Sequence, residues 1–343
     1  MTLVERIKAL TALGQHLQQE DEYLQAVIKR TEYNNPWFTV ENQNTAIQAI
    51  ATEFLAPDKL QEWLNRYDIT EPEIPKTVGL VLAGNIPLVG FHDILCVFVA
   101  GHKAKIKLSD KDKFLLPYLL KVLKDIDPRT EAYFKIVPQL KGFDAVIATG
   151  SNNSARYFEA YFGKYPNIIR KNRNGIAILD GEESTEELKA LGQDVFQYFG
   201  LGCRNVSKLY VPRNYNFEPL LESLHEFRSI ILHSKYKNNF DYNYALHVLN
   251  KAQYMANGCI ILVEDASLTS RIASLHYEYY EDNQQLEKAV TARKDEIQCV
   301  VSRRSWGDLP SFAFGKAQEP ALWDYADGVD TLAFLMELYQ INK

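Results

Sequence analysis

The chain has 343 residues, of which 46% are hydrophobic, so it can bury a sizeable core in two domains or one large α/β unit. Its formal charge of −6 is spread without long single-sign runs, which argues against nucleic-acid partners and against a polybasic membrane tether. Its four cysteines (Cys96, Cys203, Cys259 and Cys299) show no CxxC or Cys/His zinc spacing, so neither a disulfide framework nor a metal site is expected.

The N-terminal string MTLVERIKALTALGQHLQQ is amphipathic and charged, unlike a signal peptide. Helices are predicted through the first seventy residues from Leu10, Leu13 and Leu17, then Ile47, Ile50, Phe54, Leu60, Trp63 and Leu64. Residues 71–76, with two prolines, form a connector. The most apolar stretch, 79–100, is broken by Gly84, Asn85, Pro87, Gly90, His92 and Asp93, so no membrane span is expected and the chain reads as cytoplasmic. A strand is predicted over 77–83, a helix over 88–100, a strand over 103–108 and a helix over 110–123. Strands over 133–137 and 145–148 follow, then a helix after Thr149-Gly150-Ser151, a strand over 176–179 and a helix over 185–199.

That alternation predicts an α/β fold with parallel sheets covered on both faces. The first domain is placed at 1–180, a second α/β domain at 181–314, and a C-terminal segment at 315–343. In the second, the helix at 185–199 leads through Gly200-Leu201-Gly202-Cys203 into a strand at 208–211. Helices at 216–227 and 242–254 precede strands at 259–263, 276–280 and 297–302. Residues 331–338 read as an apolar segment able to pair as a strand with a second subunit, which leaves a homo-oligomer open.

Several groups could carry chemistry. No GxGxxG turn follows the first strand, and Gly200 to Asn205 fails as such a fingerprint because it follows a helix. Cys203 beside Gly202 suits a nucleophile whose backbone must approach a substrate, or equally a buried structural cysteine at a bend. Asn85 could donate to a developing oxyanion, or simply make the strand-end turn with Gly84 and Pro87. Gly150 and Ser151 could bind phosphate at a helix N-terminus, or Ser151 could only cap it. Lys107 could equally be a solvated lysine among Lys103, Lys105, Lys111 and Lys113.

Taken in order, Gly84-Asn85-Ile86-Pro87, Lys107-Leu108-Ser109-Asp110, Thr149-Gly150-Ser151 and Gly200 to Asn205 resemble the aldehyde dehydrogenase superfamily. The resemblance covers residues 80–212 well. With the GLGCRNVSKLYVP string and the DYADGVDTLAFL ending, it is closest to the LuxC-type fatty acyl-CoA reductases. It implies an aldehyde dehydrogenase-like fold of two α/β domains, each with a mostly parallel sheet, and reduction of an acyl-CoA to an aldehyde. By the resemblance, Cys203 is the nucleophile and Asn85 an oxyanion donor. Lys107, Ser109, Asp110, Gly150 and Ser151 are then the binding residues for NADPH or NADH. The KPSE-like motif departs at Leu108 and Asp110, which leaves the choice between the two open.

Acid-forming members of the superfamily carry a glutamate base in an ELGGK-like segment. Alignment puts Arg170 at that position, 33 residues before Cys203. Arginine cannot deprotonate water at neutral pH, so a thioacyl-enzyme would persist for reduction. Acyl phosphate or acyl-carrier-protein thioester reduction, an acyltransferase that hands the Cys203 acyl group to a partner without reduction, and a scaffold remain as alternatives; an acyl-donating protein partner is also open. His225, His233 and His247 are weak candidates for assisting Cys203, and Glu278 for clamping the cofactor.

Overall fold

The structure is a computed structural model that describes residues 1–340. The chain divides into two compact units, Met1–Asn172 with the chain from Ala321 onward, and Arg173–Pro320.

The first unit opens with helices α1 (Leu3–Leu17), α2 (Glu22–Asn34), α3 (Val40–Ala49) and α4 (Pro57–Leu64). Helix α1 starts at a capping box in which Thr2 and Glu5 satisfy each other's backbone N–H groups, and it buries Leu10, Leu13 and Leu17. Then come β1 (Thr77–Val81), α5 (Phe91–Val99), β2 (Lys103–Lys107), α6 (Leu115–Ile126), β3 (Phe134–Ile136), β4 (Ala145–Thr149), α7 (Asn152–Phe162) and β5 (Asn167–Arg170). Helix α5 is apolar nearly all round and correspondingly buried. The five strands form one parallel sheet in the order β3-β2-β1-β4-β5. The order reverses direction between β1 and β4, so the loops leaving those strands diverge at their carboxyl ends.

The second unit contains β6 (Asn174–Ile178), α8 (Thr185–Phe196), β7 (Val206–Pro212), α9 (Glu218–His225), α10 (Ser234–Leu249), β8 (Met255–Ala256), β9 (Ile261–Glu264), β10 (Ser274–Tyr280), α11 (Asn283–Ala292), β11 (Ile297–Val301) and β12 (Ser311–Phe312). Its sheet runs β12-β11-β6-β7-β10-β9-β8, parallel except for the β8–β9 pair. The strand at 174–178, which sequence order groups with the first sheet, is hydrogen-bonded between β7 and β11 of the second.

Residues 331–338 are not a strand. Helix α12 (Thr331–Glu337) begins where the Asp330 carboxylate accepts from Ala333 N, and its apolar residues pack into the first unit. Leu332, Leu335 and Leu338 recur at helical spacing, and the cap decides in favour of the helix. Upstream, Trp63 Nε1 donates to the Tyr325 hydroxyl, and Tyr67 donates to Asp330. No helix among the described residues is long and apolar enough to cross a membrane.

Candidate functional site

In the first unit, the candidate residues gather at the carboxyl ends of β1, β2 and β4. The chain leaving β1 passes Gly84 and half-buried Asn85, then turns through Leu88, whose φ is 55°. Leu82 N donates to Lys107 O across to β2 (3.1 Å), and Leu88 N donates to Asp112 Oδ2 (2.7 Å). A side chain at Gly84 would start 2.4 Å from Ser109 Oγ, so only glycine permits the two loops to pack this closely.

Asp112 was missed by the sequence reading, which stopped at Asp110. It is 7% exposed, and its Oδ1 has no partner. Burial pushes its carboxyl up to about 6, against the opposing Leu88 hydrogen bond. The cavity beside it, about 10 Å³ between Leu82, Leu88, Phe91, Leu108 and Leu116, has room for a water and nothing larger. Asp112 thus works on the loops, holding the segment that carries Asn85 against the segment that carries Lys107 to Asp110. Lys107 and Asp110 themselves are exposed.

After β4, Ser151 caps α7. Its Oγ accepts from Ser154 N (3.2 Å) and lies 3.1 Å from Ser154 Oγ. Asn152 and Asn153 of the first turn are exposed. An exposed helix N-terminus of this kind suits phosphate oxygens.

Arg170 ends β5 and is 5% exposed. It donates to Asp93 Oδ2 (2.6 Å) and to Thr331 Oγ1 (2.8 Å), a buried ion pair that keeps it cationic. Here it is a structural group of the first unit.

In the second unit, Cys203 is a half-buried thiol, in no disulfide, in the turn between α8 and β7. After α8 the backbone turns left-handed for three residues, Tyr198 (φ 53°), Phe199 (φ 59°) and Gly200 (φ 74°). Glycine adopts this readily, while the two aromatic residues cost roughly 1–2 kcal/mol each. Their buried rings offset that cost, with Phe199 lying 4.3 Å from the His233 ring, centroid to centroid. Burial pushes the Tyr198 hydroxyl up to about 12. The Cys203 turn closes through Asn205 N donating to Gly202 O (3.2 Å). Gly202 N in turn donates to Asn205 Oδ1 (2.8 Å).

Of the three histidines, His233 caps α10, its Nδ1 accepting from Tyr236 N, and its ring lies against that of Phe199, just before the Cys203 turn. His225 donates to Asn257 O (2.8 Å), and His247 lies beside Tyr254. Glu278 on β10 pairs with Lys208 (3.0 Å), an ammonium whose side chain is 0% exposed. Burial lowers the Lys208 value and Glu278 opposes that shift. No group of three or more potential metal ligands occurs among the described residues.

The family model for acyl-CoA reductase (LuxC) matches residues 5–219. No curated protein sequence matches the chain closely enough to count as a relative. Among solved structures, aldehyde dehydrogenase 21 from Physcomitrella patens, described as a complex with the reaction product succinate, aligns with a TM-score of 0.71 at 13% identity, covering 98% of this chain and 84% of that one. An oxidoreductase from Marinobacter aquaeolei aligns with a TM-score of 0.70 at 10% identity, over 94% and 79% of the two chains. The NAD+ complex of an aldehyde dehydrogenase from Bacillus cereus gives 0.59 at 13% identity, over 88% and 72%. At these identities the similarity establishes the fold, which is aldehyde dehydrogenase-like.

Proposed function

Because the chain belongs to the LuxC acyl-CoA reductase family, and is thereby an oxidoreductase, we propose that it reduces an acyl-CoA thioester to an aldehyde through a thioacyl-enzyme on Cys203. The observation that carries this reading is the half-buried thiol at the tip of a braced turn, at the cysteine position of the family pattern.

The Cys203 thiolate attacks the thioester carbonyl carbon, the bond to CoA sulfur breaks, and CoA leaves as its thiolate to take up a proton. Exchange between two thiols is nearly balanced, so the acylation needs no large driving force. The Asn85 amide is assigned the oxyanion, because a neutral N–H donor stabilises negative charge without protonating a thiolate. Lys107, Ser109, Asp110, Gly150 and Ser151 are assigned to NADPH or NADH. The donor set fits this group, with phosphate at the α7 N-terminus and ribose hydroxyls at Lys107 and Asp110. A reduced nicotinamide, when bound, supplies the hydride that converts the thioacyl carbonyl to a thiohemiacetal. Collapse of that adduct releases the aldehyde and returns Cys203 as thiolate. Arg170 at the position of the family's base leaves no carboxylate there to activate water.

The test is cofactor oxidation with NADPH or NADH and acyl-CoAs of several lengths, run beside Cys203→Ala. The expected result is release of CoA and aldehyde, lost at least about a thousandfold in the variant while nicotinamide binding persists. An active Cys203→Ala overturns the covalent route. Turnover with acyl phosphate or acyl-carrier-protein thioester, and none with acyl-CoA, moves the substrate assignment.

A further inference from the structure

The Cys203 turn has a support that the nucleophile assignment does not require. Asn205 is 3% exposed, and its whole carboxamide is spent on nearby backbone. Oδ1 accepts from Gly202 N, while Nδ2 donates to Asp194 O (3.0 Å) and Gln197 O (2.9 Å). Those two carbonyls lie at the end of α8, where intrahelical donors run out. Asp194 is itself held, since its carboxylate accepts from Gly315 N (2.6 Å) and Ala317 N (2.9 Å). Asn205 O accepts from Gly175 N (3.1 Å), so the same residue is also fixed to β6.

The placement of these bonds matters more than their number. Asp194 and Gln197 precede the left-handed residues 198–200, whereas Gly202 and Asn205 follow them. The carboxamide therefore clips together the two sides of a strained segment, and Cys203 sits inside the clipped loop. If the clip were removed, the left-handed residues would be free to relax and the thiol would move with them.

We propose that Asn205 is a positioning residue for the Cys203 thiol, tying the 202–205 turn to the carbonyl end of α8. This rests on the reading of Cys203 as nucleophile. Asn205 touches no reacting atom in this role, and it acts by holding the thiol where an acyl carbonyl can meet it.

The experiment uses the full chain and measures two quantities. One is the rate of Cys203 alkylation by iodoacetamide across pH, followed on the Cys203 peptide by mass spectrometry. The other is kcat and KM for acyl-CoA. Asn205→Ala is expected to displace the alkylation profile and to lower kcat about a hundredfold, the cost of a misplaced reacting group, with KM changed less than about threefold. Asn243→Ala is the control. It removes another buried carboxamide of the second unit, one that donates to Ile272 O (2.9 Å), and it should keep the native alkylation profile and kcat whatever stability it loses.

Asn205→Ser, which keeps a small polar group at the turn, is carried in parallel in case the alanine variant does not fold. Native alkylation and kcat in a folded Asn205 variant overturn the proposal. Failure of both Asn205 variants to fold, with Asn243→Ala folded, also overturns it by making the residue purely structural. Full activity of Cys203→Ala would instead remove the nucleophile reading itself, a separate result from the same assay.

Discussion

Asp112 and Asp194 are the two buried carboxyls that brace the candidate segments, and each is pushed up by burial to about 6, with backbone N–H donors opposing. An ordinary aspartate titrates near ~3.9, so both favour the fold most when protonated. Their contribution is fully present below about pH 4, declines as pH rises through about 6, and is gone above that. Asp112→Asn keeps an oxygen for Leu88 N and removes the ionisation. Denaturant melts at pH 5 and pH 8 are expected to show its stability falling less across that interval than the parent's, by about 1 kcal/mol, because part of the decline already lies below pH 5. An identical pH dependence in parent and variant would place the buried ionisation elsewhere. Asp110 is legible in the sequence because it falls within a motif, whereas Asp112 acts through the loop folded over it, which leaves no local pattern. Arg170 shows the converse. Its inability to act as a base is legible from residue type alone, but its pairing with Asp93 and Thr331 is not.

Helices with strong apolar periodicity and explicit caps were the most readable elements. Helix α6 carries Leu115, Leu116, Leu119, Val122 and Leu123 on its buried face, and α8 opens with the Ser184–Glu187 capping box. Helix α10 starts eight residues earlier than its expected 242, at Ser234, because its N-cap is His233 and it buries only Tyr236 and Asn243. Strand β5 and helix α11 leave little signal in the sequence, the one for its brevity and the other for its mixed composition. Helix α7 offers a test at this scale. Ser151→Ala removes the Oγ that accepts from Ser154 N and is expected to cost about 1 kcal/mol in thermal or denaturant melts. If the same helix end holds phosphate, a titration with NADPH or NADH will show weaker binding by the variant. Unchanged binding would restrict Ser151 to the cap.

At the scale of the whole molecule, the chain enters the first unit, leaves it at Asn172 and returns at Ala321. The returning segment supplies Leu322, Tyr325, Leu332 and Leu335 to the first unit's core. Large apolar side chains of this kind each contribute about 2 kcal/mol when fully buried. A chain ending at Pro320 is therefore expected to lose cooperative unfolding of the first unit, which circular dichroism and limited proteolysis would follow. A truncated protein with the parent's unfolding profile would show that the segment is dispensable.

By itself the sequence determined the α/β class, the ordered motifs on which the family resemblance stands, and the placement of Cys203 between a helix and a strand. All of these follow from local periodicity and residue chemistry. The tertiary structure decided which sheet the strand at 174–178 joins, that residues 331–337 form a helix packed on the first unit, and that Asn205 and Asp112 clasp the two candidate segments. Strand partners, buried carboxylates and side-chain clips depend on groups far apart along the chain. A run of apolar residues records that a strand is buried, but not which neighbour completes its hydrogen bonds.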